Sequence, residues 1–275
     1  MNNKKVIIDE PSEAFPYTPP SDEIKENFAH IFLIEELSPR ILKTIFDRFL
    51  GLVLLTISLP ILFILKIAYL IEGFLIPENK GPMLFYYWGV SGGKKIKKWK
   101  IRLIKQKFID KEGALRHDWI AFSAEWTTES RTFLGEFVKK WYLDELPQFW
   151  SVLIGDMSIV GPRPLVPEGE SFYTESQSKL LRSVRPGVTG IGSLVLRDEE
   201  SYYAHRQDSH EFYKNVISPY KALVEMWYVE NKSIYVDLKI IILTALSIAV
   251  PNLKVSLYFK SLPGMPQELY DSREG

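Results

Sequence analysis

The chain has no cysteine among its 275 residues. That excludes disulfides, thiolate zinc sites, iron–sulfur ligation and cysteine nucleophiles together. It also has no excess charge of one sign, since 34 basic residues balance 34 acidic ones. The balance excludes the globally basic profile of a nucleic-acid coat and the acidic, aromatic-poor profile of a disordered solvating protein. Its four histidines (His30, His117, His205, His210) lack zinc-type spacing. There is no phosphate-binding P-loop, no dinucleotide Gly-x-Gly-x-x-Gly, no internal repeat and no low-complexity tract. With 46% apolar residues the chain can fill a core. Its chemistry has to come from carboxylates, lysine, arginine, histidine or hydroxyls.

What stands out is one apolar run, Phe49 to Ile71, with Lys66 as its only charge. As a helix it would reach about 34 Å, enough to cross the hydrocarbon core of a bilayer. Pro60 sits in its middle, where it removes a backbone donor and crowds the preceding turn. Basic residues flank both sides: Arg40, Lys43 and Arg48 before it, Lys80 and the cluster from Lys94 to Arg102 after it. The positive-inside rule then wants both flanks in the cytoplasm. A helix that enters, bends at Ser58 to Pro60 and returns satisfies that rule, so a re-entrant membrane helix is expected over 39–76. The run begins far from Met1 and lacks a small-residue cleavage site, which argues against a cleaved signal peptide.

Around it, residues 1–38 read as a flexible N-terminal arm with four prolines and one short helix near Glu23 to Glu36. Residues 77–250 read as a cytoplasmic catalytic domain and 251–275 as a C-terminal tail. The aromatic stretch Phe85-Tyr86-Tyr87-Trp88 suits either the headgroup level or a strand packed in the core. The lysine-rich run Lys94 to Lys107 suits anionic headgroups or a phosphorylated substrate, and no nucleic-acid module accompanies it. The apolar stretch Trp227 to Val250 is too short in its uncharged part to span a membrane and reads as a packed or surface-lying helix.

The chemistry concentrates in Lys139 to Pro164. Pro147 opens a helix, Leu146, Phe149, Trp150 and Leu153 are expected on its apolar face, and Gly155 ends it. Asp144 and Glu145 fall at the helix N-terminus, whose dipole favours carboxylates and attracts phosphate. A lone Asp there would be a cap. Two adjacent carboxylates can also divide the labour, one attacking phosphorus and the other holding a divalent cation with the substrate's phosphates. Pro162-Arg163-Pro164 fixes an arginine between two rigid residues, and Arg185-Pro186-Gly187 repeats the device. Guanidinium geometry matches phosphate oxygens.

Asp144-Glu145-Leu146-Pro147-Gln148, Gly155 to Pro164, Val184 to Gly190, and Trp227 to Lys239 resemble, in order, the motifs of the bacterial sugar transferase family. These are monotopic polyprenyl-phosphate phosphoglycosyl transferases, and the resemblance covers about residues 39–250. It implies transfer of a phosphosugar from a UDP-sugar to undecaprenyl phosphate, giving undecaprenyl-diphosphate-sugar and UMP at the cytoplasmic face of the bacterial inner membrane. By the same resemblance Asp144 is the nucleophile that becomes covalently phosphoglycosylated, Glu145, with Asp144, binds Mg²⁺, and Arg163 lies in the nucleotide-sugar site. Lys139 stands where the family usually has arginine, and keeps the charge without the bidentate fork. The expected fold is α+β and mainly helical. Membrane lipids and a second copy of the chain are further candidate partners. Two other readings stay open from the residues alone: a membrane-surface phosphohydrolase that passes the group to water, and an inactive anchor for a polysaccharide assembly complex.

Overall fold

The computed structural model describes residues 37, 40–91, 94–106, 129–164, 172–197, 199–203, 206–250, 253 and 255–271. The expected N-terminal arm, its short helix and the side chains of all four histidines lie outside the described residues.

Helix α1, Ile41–Leu75, is 35 residues long with Pro60 inside it, and the helical backbone runs uninterrupted through the proline. Pro60 offers no N–H to the Thr56 carbonyl. Thr56 and Ser58 both turn their hydroxyls back, donating to the Leu52 and Leu54 carbonyls at 2.8 and 2.7 Å. It is the one described helix long and apolar enough to cross a membrane, by length and composition. Its burial pattern is inverted. Lys43, Asp47, Gly51, Ser58, Leu65, Tyr69 and Glu72 form one buried stripe at helical spacing. Ile45, Phe49, Leu52, Ile57, Phe63, Ile64 and Phe74 face outward. Polar groups inside and large hydrophobics outside is the arrangement of a surface in contact with lipid rather than water.

A hairpin follows. Strand β1, Leu84–Ser91, pairs antiparallel with β2, Lys94–Ile101, with Tyr86 opposite Trp99 and Phe85 opposite Lys100. Tyr86 and Trp99 meet edge to face at 4.8 Å. The aromatic stretch is therefore a strand, with Phe85 buried. Helix α2, Phe133–Lys140, is N-capped by Thr132, whose side chain accepts from Gly135 N. A 3-10 turn, Leu143–Glu145, leads to α3, Gln148–Ile154, preceded by Pro147 and ended by Gly155 in the left-handed region at φ 89°.

Here the structure corrects the expected face. Gln148, Ser151 and Val152 are the buried residues of α3, while Trp150 is half exposed. The reason is α1, which packs closely along α3. A Cβ on Gly51 would lie 3.0 Å from Val152 Cγ1, so the close approach requires a glycine at that position of α1. Phe149 still packs against the core.

Strand β3, Ser158–Val160, and β4, Gly187–Thr189, form a short parallel pair, joined through α4, Glu175–Arg182. Then come α5, Ile191–Val195, and α6, Glu199–Tyr203. A π-helical turn, Tyr213–Ile217, leads into α7, Ser218–Asn231. Helix α8, Ile234–Ala249, is capped by Ser233, which accepts from Val236 N. The architecture is α+β with helices dominant and two two-stranded sheets among the described residues. The main core gathers Val152, Met157, Ile191, Ile217, Tyr228 and Ile240. A second cluster joins Leu65 and Tyr69 of α1 to Phe85, Ile101 and Val138. Part of the segment expected as a tail belongs to the main core, through Val255, Phe259 and Leu269.

Candidate active site

Two packing constraints bring the carboxylates to a cavity. Tyr142 adopts the left-handed conformation at φ 53°, which turns the chain sharply after α2. The 3-10 turn that follows then places Asp144 and Glu145 on the wall of a cavity of about 440 Å³. Lys139, Arg163, Ser193, Arg197, Glu199 and Lys221 line the same space, as does Lys100 from the end of β2. Its apolar lining includes Leu146, Phe149, Val188, Leu194 and Leu196. Helix α8 contributes Thr244, Ser247 and Ile248, while Tyr235, Leu238 and Ile242 of the same helix are exposed.

The charges are arranged in pairs. Lys100 Nζ lies 3.0 Å from Asp144 Oδ2, and both side chains are nearly buried. Arg163 reaches Glu145 Oε1 at 3.5 Å and Ser193 Oγ at 3.5 Å. Lys221 donates to both oxygens of Glu199, at 2.9 and 2.7 Å. Arg197 donates to the Tyr142 hydroxyl at 3.0 Å and stacks 5.0 Å from its ring centre. Five cations (Lys100, Lys139, Arg163, Arg197, Lys221) against three carboxylates (Asp144, Glu145, Glu199) leave an excess of two positive charges in the lining. That is the complement of a diphosphate.

Burial works to lower the Arg163 pKa, but Glu145, Glu199 and Asp144 outweigh it and hold the guanidinium above its ordinary value. Burial likewise works to lower Lys221, and Glu199 overcomes it to raise the ammonium. Behind the cavity, Glu225 of α7 is only 2% exposed. Burial pushes its carboxyl up to about 7, against the opposing effects of the Arg163 backbone and Lys221.

The structure thus gathers Asp144, Glu145, Lys139 and Arg163 at one cavity. Pro162 and Pro164 flank the arginine through their carbonyls, which accept from Gly187 N at 2.8 Å and Lys98 Nζ at 3.1 Å. Arg185 lies elsewhere. It donates to Thr44 Oγ1 at 3.2 Å and shares a small crevice with Arg40, Lys43, Asp47 and Tyr228 at the start of α1. There, Asp47 accepts from Lys43 Nζ at 2.6 Å and from Ser158 Oγ at 2.7 Å, and Asp237 accepts from Tyr228 at 2.8 Å. Sequence reasoning placed Lys100 only within the lysine-rich run suited to headgroups or a phosphorylated substrate, and missed Arg197, Glu199, Lys221 and Glu225. The available signals were Lys100 alternating with aromatic and apolar residues along a strand, and Lys221 and Glu225 interrupting the apolar run of α7.

Among the described residues no three acidic or histidine side chains converge as a metal site. The donor set of Asp144 and Glu145 fits Mg²⁺, which takes one or two carboxylates and completes its shell with substrate phosphates and water.

Comparison with known proteins shows the family. Residues 38–250 match the family described as bacterial sugar transferase. The chain is 31% identical over 217 residues to a UDP-galactose-lipid carrier transferase of Erwinia amylovora, covering 75% of this chain and 40% of that protein. It is 32% identical over 198 residues to a UDP-glucose:undecaprenyl-phosphate glucose-1-phosphate transferase of Klebsiella pneumoniae, covering 70% of this chain and 37% of the relative. It is 30% identical over 141 residues to the exopolysaccharide production protein ExoY of Sinorhizobium fredii, covering 51% of this chain and 55% of the relative. The chain therefore spans about two fifths of the two longer relatives. The match over 38–250, which contains every one of the cavity's acidic and basic residues, makes this chain a member of the bacterial sugar transferase family.

Proposed function

We propose that the protein transfers a phosphosugar from a UDP-sugar to undecaprenyl phosphate, releasing UMP. The observation that carries this reading is the single cavity holding two adjacent carboxylates, an arginine clamp and an excess of two positive charges. The names of the relatives supply the donor and acceptor classes.

In the first step an Asp144 carboxylate oxygen attacks the phosphorus that carries the sugar. The bond from that phosphorus to the bridging diphosphate oxygen breaks, UMP leaves, and Asp144 carries the phosphosugar as a mixed anhydride. In the second step a phosphate oxygen of undecaprenyl phosphate attacks the same phosphorus and returns the Asp144 carboxylate. Lys100, beside Asp144, orients the attacking carboxylate and accompanies its charge. Arg163 and Lys139 bind the diphosphate. Mg²⁺ held by Glu145 and Asp144 would supply neutralising charge to the diphosphate when bound.

Helix α1 supports a reading of the membrane placement. Its 35 helical residues measure about 52 Å along the helix axis. The Lys43 to Gly51 end packs on α3 and β3, and the Leu65 to Glu72 end packs on the hairpin and α2. A crossing would carry these ends to opposite sides of the bilayer together with the body they share. A monotopic, re-entrant placement on the cytoplasmic side keeps both ends with that body and presents the apolar face to lipid. It also sets α8, whose inner side lines the cavity, at the depth where a lipid phosphate emerges.

The test is UMP release by detergent-solubilised protein with Mg²⁺, a panel of UDP-sugars, and undecaprenyl phosphate present or absent. The expected result is acceptor-dependent UMP from at least one donor, lost in Asp144→Ala. Equal UMP without acceptor would replace the transferase with a phosphohydrolase, and no UMP from any donor would contradict catalysis.

A further inference from the structure

Glu225 is a carboxylate in the wrong place for a core residue. Its neighbours on α7 are Ala222, Val224, Trp227, Tyr228 and Val229, all buried. Burying an anion or a carboxylic acid there is costly unless hydrogen bonds compensate. Compensation comes from one backbone N–H and from Lys221, a cation on the same helix. Glu225 Oε1 accepts from Arg163 N at 3.1 Å, and the carboxyl packs against the Gly192 backbone. Its Oε2 is buried with no hydrogen-bond partner. Gly192 has no room for a side chain, because a Cβ there would fall on Glu225 Oε1. The two segments that meet at Glu225 carry the two groups that meet in the cavity, since the Arg163 guanidinium reaches Ser193 Oγ at 3.5 Å and Glu145 Oε1 at 3.5 Å.

We propose that Glu225 is a positioning residue for the donor diphosphate: packed against Gly192, it holds the backbone N–H of Arg163 and so aims the Arg163 guanidinium into the cavity. The inference rests on the reading of Arg163 as a donor-binding group given above. Glu225 itself stays out of the cavity and touches no substrate. A carboxyl or amide oxygen of the same reach can do the same work, because the Arg163 N–H needs only an acceptor. Aspartate, one methylene shorter, withdraws that acceptor from the Arg163 N–H.

The test compares Glu225→Gln and Glu225→Asp in the full chain, with KM for the UDP-sugar and KM for undecaprenyl phosphate measured separately. Glu225→Asp is expected to raise the donor KM about tenfold, the scale of one lost hydrogen bond to a charged group, and to leave the acceptor KM unchanged. Glu225→Gln is expected to stay within about threefold of the parent, since it loses no acceptor. In an Arg163→Ala background, Glu225→Asp should add no further change in donor KM, because the group it aims is gone. Equal changes in both KM values, or a full additional effect in the Arg163→Ala background, would reduce Glu225 to a general structural role. If Arg163→Ala alone leaves the donor KM unchanged, the donor-site reading fails. If Arg163→Ala raises it while Glu225→Asp does not, only the present inference fails.

Discussion

Lys100 and Asp144 form a nearly buried ion pair, and the worth of such a pair depends on which half is removed. Lys100→Met would leave the Asp144 carboxylate buried without its cation, at an expected cost of about 3 kcal/mol. Lys100→Met with Asp144→Asn should recover most of that cost, as measured by denaturant unfolding in detergent. A double variant no more stable than the single one would contradict the pairing. Glu225 gives a second prediction with a definite sign. Its pKa rises from 4.5 unfolded to about 7 folded, so the folded state holds a proton that the unfolded state releases. Its contribution to stability is fully present below the unfolded value and is lost as pH rises through about 7. The parent should lose on the order of 3 kcal/mol between these limits, and Glu225→Gln should flatten that part of the profile. Parallel stability profiles for the two proteins between pH 5 and 8 would refute it.

Element boundaries show what the sequence reveals and what it hides. Pro147 and Gly155 bracket α3 as turn chemistry requires, and the apolar run from Phe49 to Ile71 lies within α1. Adjacent carboxylates and a proline-flanked arginine were legible because their spacing is local. Arg197, Glu199 and Lys221 were not, because the cavity joins them through the fold rather than through the sequence, and Glu225 meets Arg163 N only across the fold. The buried face of α3 was misread because periodicity finds bulky apolar residues, whereas close helix contact selects small ones. A Cβ on Gly51 would lie 3.0 Å from Val152 Cγ1, which makes that a testable claim. Gly51→Leu should push α1 away from α3 and destabilise the protein by about 2 kcal/mol, the usual scale of overpacking. An unchanged thermal midpoint would mean that the two helices are not in contact.

At the scale of the molecule, one body touches both ends of a helix whose outward face is apolar. The chain has no native cysteine, so single reporters at Ser38→Cys and Glu78→Cys can bracket α1. Both should react with a membrane-impermeant thiol reagent in inverted vesicles, and neither in intact spheroplasts. Opposite labelling of the two would mean that α1 crosses the bilayer. On the proposed reaction the same arrangement would let a soluble donor and a lipid acceptor visit one cavity in turn, as a covalent Asp144 intermediate requires. The most direct measurement is therefore the mass of the peptide containing Asp144 after incubation with the active UDP-sugar and Mg²⁺, without acceptor, and an acid quench. A phosphosugar adduct on Asp144 that disappears on adding undecaprenyl phosphate is the predicted result. Acceptor-dependent turnover with no such adduct, or turnover that survives Asp144→Asn, would contradict the account.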